Sequence, residues 1–186
     1  MKQSSDVYVS QMKVTLEDSK PPIWRRIQVT SAVTLYKLHH ILQVVMGWSN
    51  SHLHEFIIYD VHYSEPSPDD EYKVRNEKTV KLSQVVSKEG AKFAYLYDFG
   101  DNWYHKILVE KILSPEPDIH YPICIKGKRA CPPEDCGGIW GYYNFLRIIQ
   151  DPNDPEHDQT LEWAGGSFNP EAFDLEDLNQ QLRKIR

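Results

Sequence analysis

The sequence predicts one α+β domain over residues 1–186, in which helices cover one face of a mainly antiparallel sheet. Three observations point there. Short segments alternate apolar and polar residues with period two, the mark of half-buried strands. The segments fall in the order β-β-α-β-α-β-β and are followed by stretches of helical spacing. Near the middle, FAYLYDFGDNWYHKILVE (93–110) reads as a hairpin whose first strand is apolar on both faces, which predicts a central place in the sheet.

Residues 7–16 form the first strand, with Tyr8, Met12, Val14 and Leu16 sharing a face. Lys20-Pro21-Pro22 breaks it, because proline cannot donate to a ladder. Ile23 to Val29 follows, with Ile23, Ile27 and Val29 inward beside Arg25. A buried salt-bridge partner is the simplest account of that arginine, and an anion contact is the other. Thr34 is placed to N-cap a helix whose apolar stripe is Leu35, Leu38, Ile41, Leu42, Val45 and Met46, and Gly47 ends it. His39 borders the buried face of this helix and His40 is solvated. Trp48 to Ser51 form a loop, His52 to Tyr63 a third strand, and 64–78 a polar, proline-bearing excursion. Leu82 to Val86 suit a short helix closed by Gly90.

In the hairpin, Asp98-Phe99-Gly100-Asp101-Asn102 is the turn. The second strand sets Trp103, His105, Ile107 and Val109 against Tyr104, Lys106 and Glu110. Residues 114–138 hold five of the twelve prolines and all three cysteines, and are expected as a long ordered loop. Ile139 to Gln150 returns to helical spacing through Tyr142, Phe145, Leu146 and Ile149, and Asp151-Pro152 stops it. A short helix spans Glu156 to Trp163, and Gly165-Gly166 turns the chain. Asn169-Pro170 opens a final helix bearing Leu175, Leu178, Leu182 and Ile185.

Composition narrows the function. A net charge of −6 and a pI near 5.7 disfavour nucleic acid as a partner, since neutralising phosphates needs clustered Lys and Arg. Two local basic stretches stand out, Lys20 to Arg26 around Trp24 and Lys126-Gly127-Lys128-Arg129. Solvated strand ends and turns account for both. No apolar run approaches the ~20 residues of a membrane span. MKQSSDVYVS has no secretory apolar region, and three cysteines do not form a disulfide framework, so a cytoplasmic location without membrane association is expected. The five Trp and eleven Tyr supply rigid area for a core or a recognition face.

Three clusters carry candidate chemistry. His52-Leu53-His54-Glu55 puts two imidazoles on one side of a strand, where they could share a metal. Asp98, Asp101 and His105 gather at one end of the hairpin, and hard carboxylates with an imidazole suit a divalent ion such as zinc. The same acids also make a turn without any ligand. Cys131-Pro132-Pro133-Glu134-Asp135-Cys136-Gly137-Gly138 offers Cys136 ahead of a helix start, where a dipole lowers a thiol pKa. As a zinc motif it is incomplete, and its cysteines also read as small buried hydrophobes. No phosphate-binding glycine loop, nucleophile elbow or His-Glu-x-x-His motif is present.

Taken in order, Pro22-Ile23-Trp24-Arg25-Arg26-Ile27, the Leu38-His39 to Gly47-Trp48 helix, His52-Leu53-His54-Glu55-Phe56, Tyr97 to His105, Ala130 to Gly138 and Asp151-Pro152 through Glu156-His157 resemble the Ri-plasmid ORF-3-like family, from about Tyr8 to about Leu182. The resemblance implies an α+β domain, sometimes labelled a passenger protein of insertion elements, and implies no reaction. The leading expectation is a binding or accessory module for a protein or small-molecule ligand. Its face would be the hairpin tip and the Cys131 to Gly138 loop, with Trp48, Trp103, Trp140 and Tyr142 as contact area. The alternative is a metal-dependent hydrolase with His52, His54, Asp101 and His105 as ligands and Asp98, Glu134 or Cys136 as catalytic groups.

Overall fold

The structure, a computed structural model, describes residues 7–68 and 73–185, so the 69–72 part of the polar excursion lies outside it. The alternating segments become β1 (Val9–Leu16), β2 (Trp24–Thr30), β3 (His54–Ile58), β4 (Val61–Ser64), β5 (Arg75–Asn76), β6 (Lys92–Tyr97), β7 (Trp103–Leu113) and β8 (Ile123–Lys128). The helices are α1 (Leu35–Met46), α2 (Leu82–Val85), α3 (Gly138–Gln150), α4 (His157–Trp163) and α5 (Leu175–Leu182). Among the described residues the strands form one eight-stranded sheet, β5-β4-β3-β6-β7-β1-β2-β8. All pairings are antiparallel except β4 with β5. The β6-β7 hairpin is central, as the apolar faces of its first strand predicted.

Thr34 Oγ1 accepts from the Lys37 amide and Gly47, at φ 76°, closes α1, as the capping residues predicted. The apolar stripe of α1 packs in one cluster with Met12, Val14, Ile27, Phe56, Tyr95 and Ile107 of the sheet. Leu35, Leu38, Ile41 and Leu42 are wholly buried, each contributing roughly 1.5–3 kcal/mol. On the other sheet face Lys13, Trp24, Arg26 and Tyr104 stay half-buried, and Lys106, Lys126 and Lys128 are exposed.

Four sequence expectations are corrected. The expected third strand is a hairpin, because Tyr59 and Asp60 take φ of 51° and 61° and form a tight turn between the paired Ile58 and Val61. The proline-rich stretch contains β8, whose outer side is bracketed by Asn179. That amide donates to the Cys124 carbonyl at 2.9 Å and accepts from its N–H at 2.8 Å. The last helix starts at Leu175 under an Asp174 cap, not at Pro170. In β1 it is Val9, not Tyr8, that is fully buried, and the register against β7 slips at Gln11/Met12.

Arg25 has no carboxylate partner among the described residues. Its guanidinium is satisfied by the Val45, Trp24, Lys128 and Arg129 carbonyls and by Cys131 Sγ at 3.1 Å, and it lies over the Phe173 ring. A carbonyl cage therefore stands where an ion pair was expected. Among the described residues no helix is long and apolar enough to cross a membrane.

Candidate functional site

The tip of the β6-β7 hairpin is shaped by Asp98. With φ 56°, it accepts from the Gly100 and Asp101 amides through Oδ1 at 2.9 and 3.3 Å, and its carbonyl accepts from Asn102 N–H at 2.6 Å. Turn-making occupies one carboxylate oxygen and leaves the other. Oδ2 lies 3.6 Å from His52 Nε2.

Two loops distant in sequence close on this tip. In the loop after α1, the Trp48 indole donates to the Pro132 carbonyl at 3.0 Å, and Leu53 C=O accepts from the Asp98 amide at 2.8 Å. Glu134 receives Ser49 N–H and Oγ–H at 2.9 and 2.6 Å on one oxygen and the Tyr97 hydroxyl at 2.5 Å on the other. Burial works against the Glu134 charge, but the bonds from Ser49 and Tyr97 outweigh it and lower its pKa. Asp101 Oδ2 accepts from Gly137 N–H at 3.1 Å. Gly138 then takes φ +68°, and a Cβ there would sit 2.4 Å from the Asp101 carbonyl oxygen, so only glycine lets the two backbones approach this closely. The hairpin tip, the His52 segment and the cysteine loop therefore meet, without His54.

His52, Asp98 and Asp135 form its polar centre, with one ligand atom from each within 4.8 Å of the others. His52 Nε2 is 3.1 Å from Asp135 Oδ1, yet the atom is buried and has no hydrogen-bond partner among the described residues. The oxygens flank the ring nitrogen without lying in line with an N–H. Two ligands on an ion with bonds of about 2.1 Å lie roughly 3.0–3.4 Å apart; the His52–Asp135 spacing of 3.1 Å falls in that range, and the His52–Asp98 spacing of 3.6 Å lies just beyond it. Asp135 was missed by the sequence reading. Its signal was its place in the Pro-Glu-Asp-Cys run, where Glu134 turns to Tyr97 and Asp135, at φ 60°, to His52.

The other expected ligands are elsewhere. His54 faces the core, 2.9 and 3.1 Å from the carboxylate oxygens of the fully buried Glu77, and stacks on His39 at 3.4 Å with planes 6° apart. Burial, then the charge of His54, pushes the His39 pKa down to about 3 against its bond to Asn50. His105 is fully buried, with Nδ1 3.2 Å from the Tyr95 carbonyl and its pKa lowered by burial to about 4. The face-sharing argument failed for His52 and His54 because the strand begins only at His54. Cys136 has the helix start ahead of it, but burial and then the charges of Asp101 and Asp135 push its thiol up to about 12, which works against a thiolate. Of the aromatic contact residues, Trp48, Trp103 and Tyr142 belong to the core, and Trp140 is 81% exposed.

These features define a class: an α+β protein with an antiparallel sheet open on one face and a polar site assembled from three loops at the tip of its central hairpin. The model of the family described as plasmid pRiA4b ORF-3-like protein matches residues 8–177, and the chain belongs to that family. It is 40% identical over 176 residues to uncharacterized protein y4hQ of Sinorhizobium fredii (strain NBRC 101917 / NGR234), covering 94% of this chain and 90% of that one. The crystal structure of a protein of unknown function, MM3350 from Methanosarcina mazei Go1, is similar at 38% identity and a TM-score of 0.84, over 93% of this chain and 98% of that one.

Proposed function

We propose that the chain is a binding module whose ligand sits on the hairpin-tip face, serving as an accessory protein in keeping with the plasmid-derived family description. The observation that carries this is an exposed apolar collar on an otherwise locked structure. Trp140, Leu53 and Phe99 are 81, 72 and 50% exposed, and they stand at the start of α3, in the His52 segment and in the hairpin turn, the pieces that Glu134, Trp48 and Asp101 tie together. Beside them Asp101, Asn102, Gly138 and Trp140 line a cleft of about 320 Å³. Apolar area next to Asp98, Asp101 and Asp135 suits a peptide or small molecule carrying an apolar group and a positive charge. Amide-shift mapping with matched basic and acidic leucine-containing tripeptides tests it. Basic peptides should move the Asp101, Gly137 and Trp140 signals, and shifts elsewhere, or none, would reject the reading.

The His52-Asp98-Asp135 trio favours a second reading, a metal-dependent hydrolase. One imidazole and two carboxylates suit zinc, manganese or iron, and three protein ligands leave positions open for water and substrate. Calorimetric titration with Zn²⁺ and Mn²⁺ should give one site that His52→Ala abolishes. A wild type that takes up no metal ends this reading, and metal uptake without turnover of ester and phosphoester panels ends its hydrolase part.

A further inference from the structure

The two basic stretches that sequence treats as unrelated strand ends meet on one sheet face. Directly opposed residues share a face, and the register aligns Lys106, Thr15, Trp24 and Lys128 in one row across β7, β1, β2 and β8. Leu108, Lys13, Arg26 and Lys126 form the next row. Gly127, between the two β8 lysines, packs against Phe173 and Arg25 on the core side, which fixes Lys126 and Lys128 outward. Strands lie ~4.8 Å apart and like-facing residues ~6.7 Å apart, so the rows make a patch of roughly 14 by 7 Å.

Glu110 pairs with Arg26, and Glu17 with Lys106. Lys13, Lys126 and Lys128 have no carboxylate partner among the described residues. At the centre Trp24 is half-buried, with Lys13 Nζ 5.1 Å and the Arg26 guanidinium 5.2 Å from its ring, and Tyr104 lies one step along β7 from Lys106. A chain of net charge −6 thus gathers five cations, three of them without a carboxylate partner among the described residues, around aromatic rings on the face its helices leave open.

We propose that this face binds single-stranded nucleic acid. The charges match phosphates, and the rings match bases whose flat faces are free, which a duplex hides in its stack. An acidic polypeptide would use the lysines and leave Trp24 and Tyr104 without a role. Whole-chain charge, which argues against a phosphate-binding protein, averages over this local patch. The surface adjoins the hairpin-tip cleft, which Tyr104 and Glu17 also line, but the proposal does not depend on the reading of that site.

The test is fluorescence anisotropy of a labelled oligothymidylate of about fifteen nucleotides, titrated across a salt series. Affinity should fall with log salt at a slope of about −2 to −3, for three or four phosphate contacts on a single strand. The exposed-site double variant Lys126→Glu/Lys128→Glu should lose at least about ten-fold in affinity and about 1.4 in slope. Lys184→Glu, beyond α5 on the helical side, should bind as wild type. Trp24→Ala should weaken binding without changing the slope, and circular dichroism confirms its fold. Absence of salt-dependent binding, or full binding by the lysine double variant, overturns the proposal. So does a duplex bound as tightly as the single strand, or lysine-dependent binding of polyglutamate or phosphatidylserine vesicles in place of the oligonucleotide.

Discussion

Replacing Gly138 by alanine probes the contact on which the hairpin-tip site depends. The new Cβ would meet the Asp101 carbonyl oxygen at 2.4 Å, and that atom is backbone, so no side-chain rotation relieves the clash. The φ of +68° adds left-handed strain of about 1–2 kcal/mol, and overpacking adds about 1–3 kcal/mol. The expected loss is on the order of 2–5 kcal/mol, or less if the loop lifts off and abandons the Gly137–Asp101 bond. Gly90→Ala separates the two causes. Its φ is +78° with nothing within 4 Å of the added carbon, so it should lose only about 1–2 kcal/mol. Urea unfolding followed by circular dichroism measures both, and hydrogen exchange at the Gly137 amide reports whether the loop is still docked. Equal losses in the two variants, with Gly137 still protected in Gly138→Ala, would refute the close backbone approach.

Other consequences are measurable in the same way. Glu134→Gln replaces a carboxylate that accepts three hydrogen bonds, and should cost about 1.5–3 kcal/mol in urea unfolding. His105 and His39 are held neutral, with pKa values lowered to about 4 and about 3, while in the unfolded chain they take up protons near pH 6.5. Stability should therefore be full above pH 6.5 and fall as pH drops toward 4, and a His105→Gln chain should lose it less steeply; a slope unchanged by that substitution would argue against a buried neutral imidazole. Changing Tyr59-Asp60 to Asn-Gly, which both favour positive φ, should stabilise the β3-β4 hairpin by up to about 1 kcal/mol, read as a shift in the urea midpoint.

The fold was legible where pattern and local chemistry agreed. Thr34 and Gly47 bounded α1 because capping is local, and the β6-β7 hairpin declared its central place through a first strand apolar on both faces. The β3-β4 turn was hidden because Tyr59 and Asp60 carry no glycine signal, and β8 because prolines and cysteines masked its alternation. At the site, His52 and Asp98 were visible as residue types. Their companion Asp135 was not, since only the tertiary path of the cysteine loop brings it to them. His54 and His105 show the converse: an imidazole on a strand says nothing of which layer it enters, and both enter the core.

The Asn179 bracket on Cys124 bears on how the molecule behaves in a crowd. An outermost strand offers bare peptide groups to any extended chain that drifts past, and such pairing seeds intermolecular sheets. Here the side-chain amide of a helix residue, itself a copy of a peptide group, occupies the donor and acceptor that a ninth strand would need at that point. The β8 edge is thereby stoppered at Cys124 by the molecule's own helix.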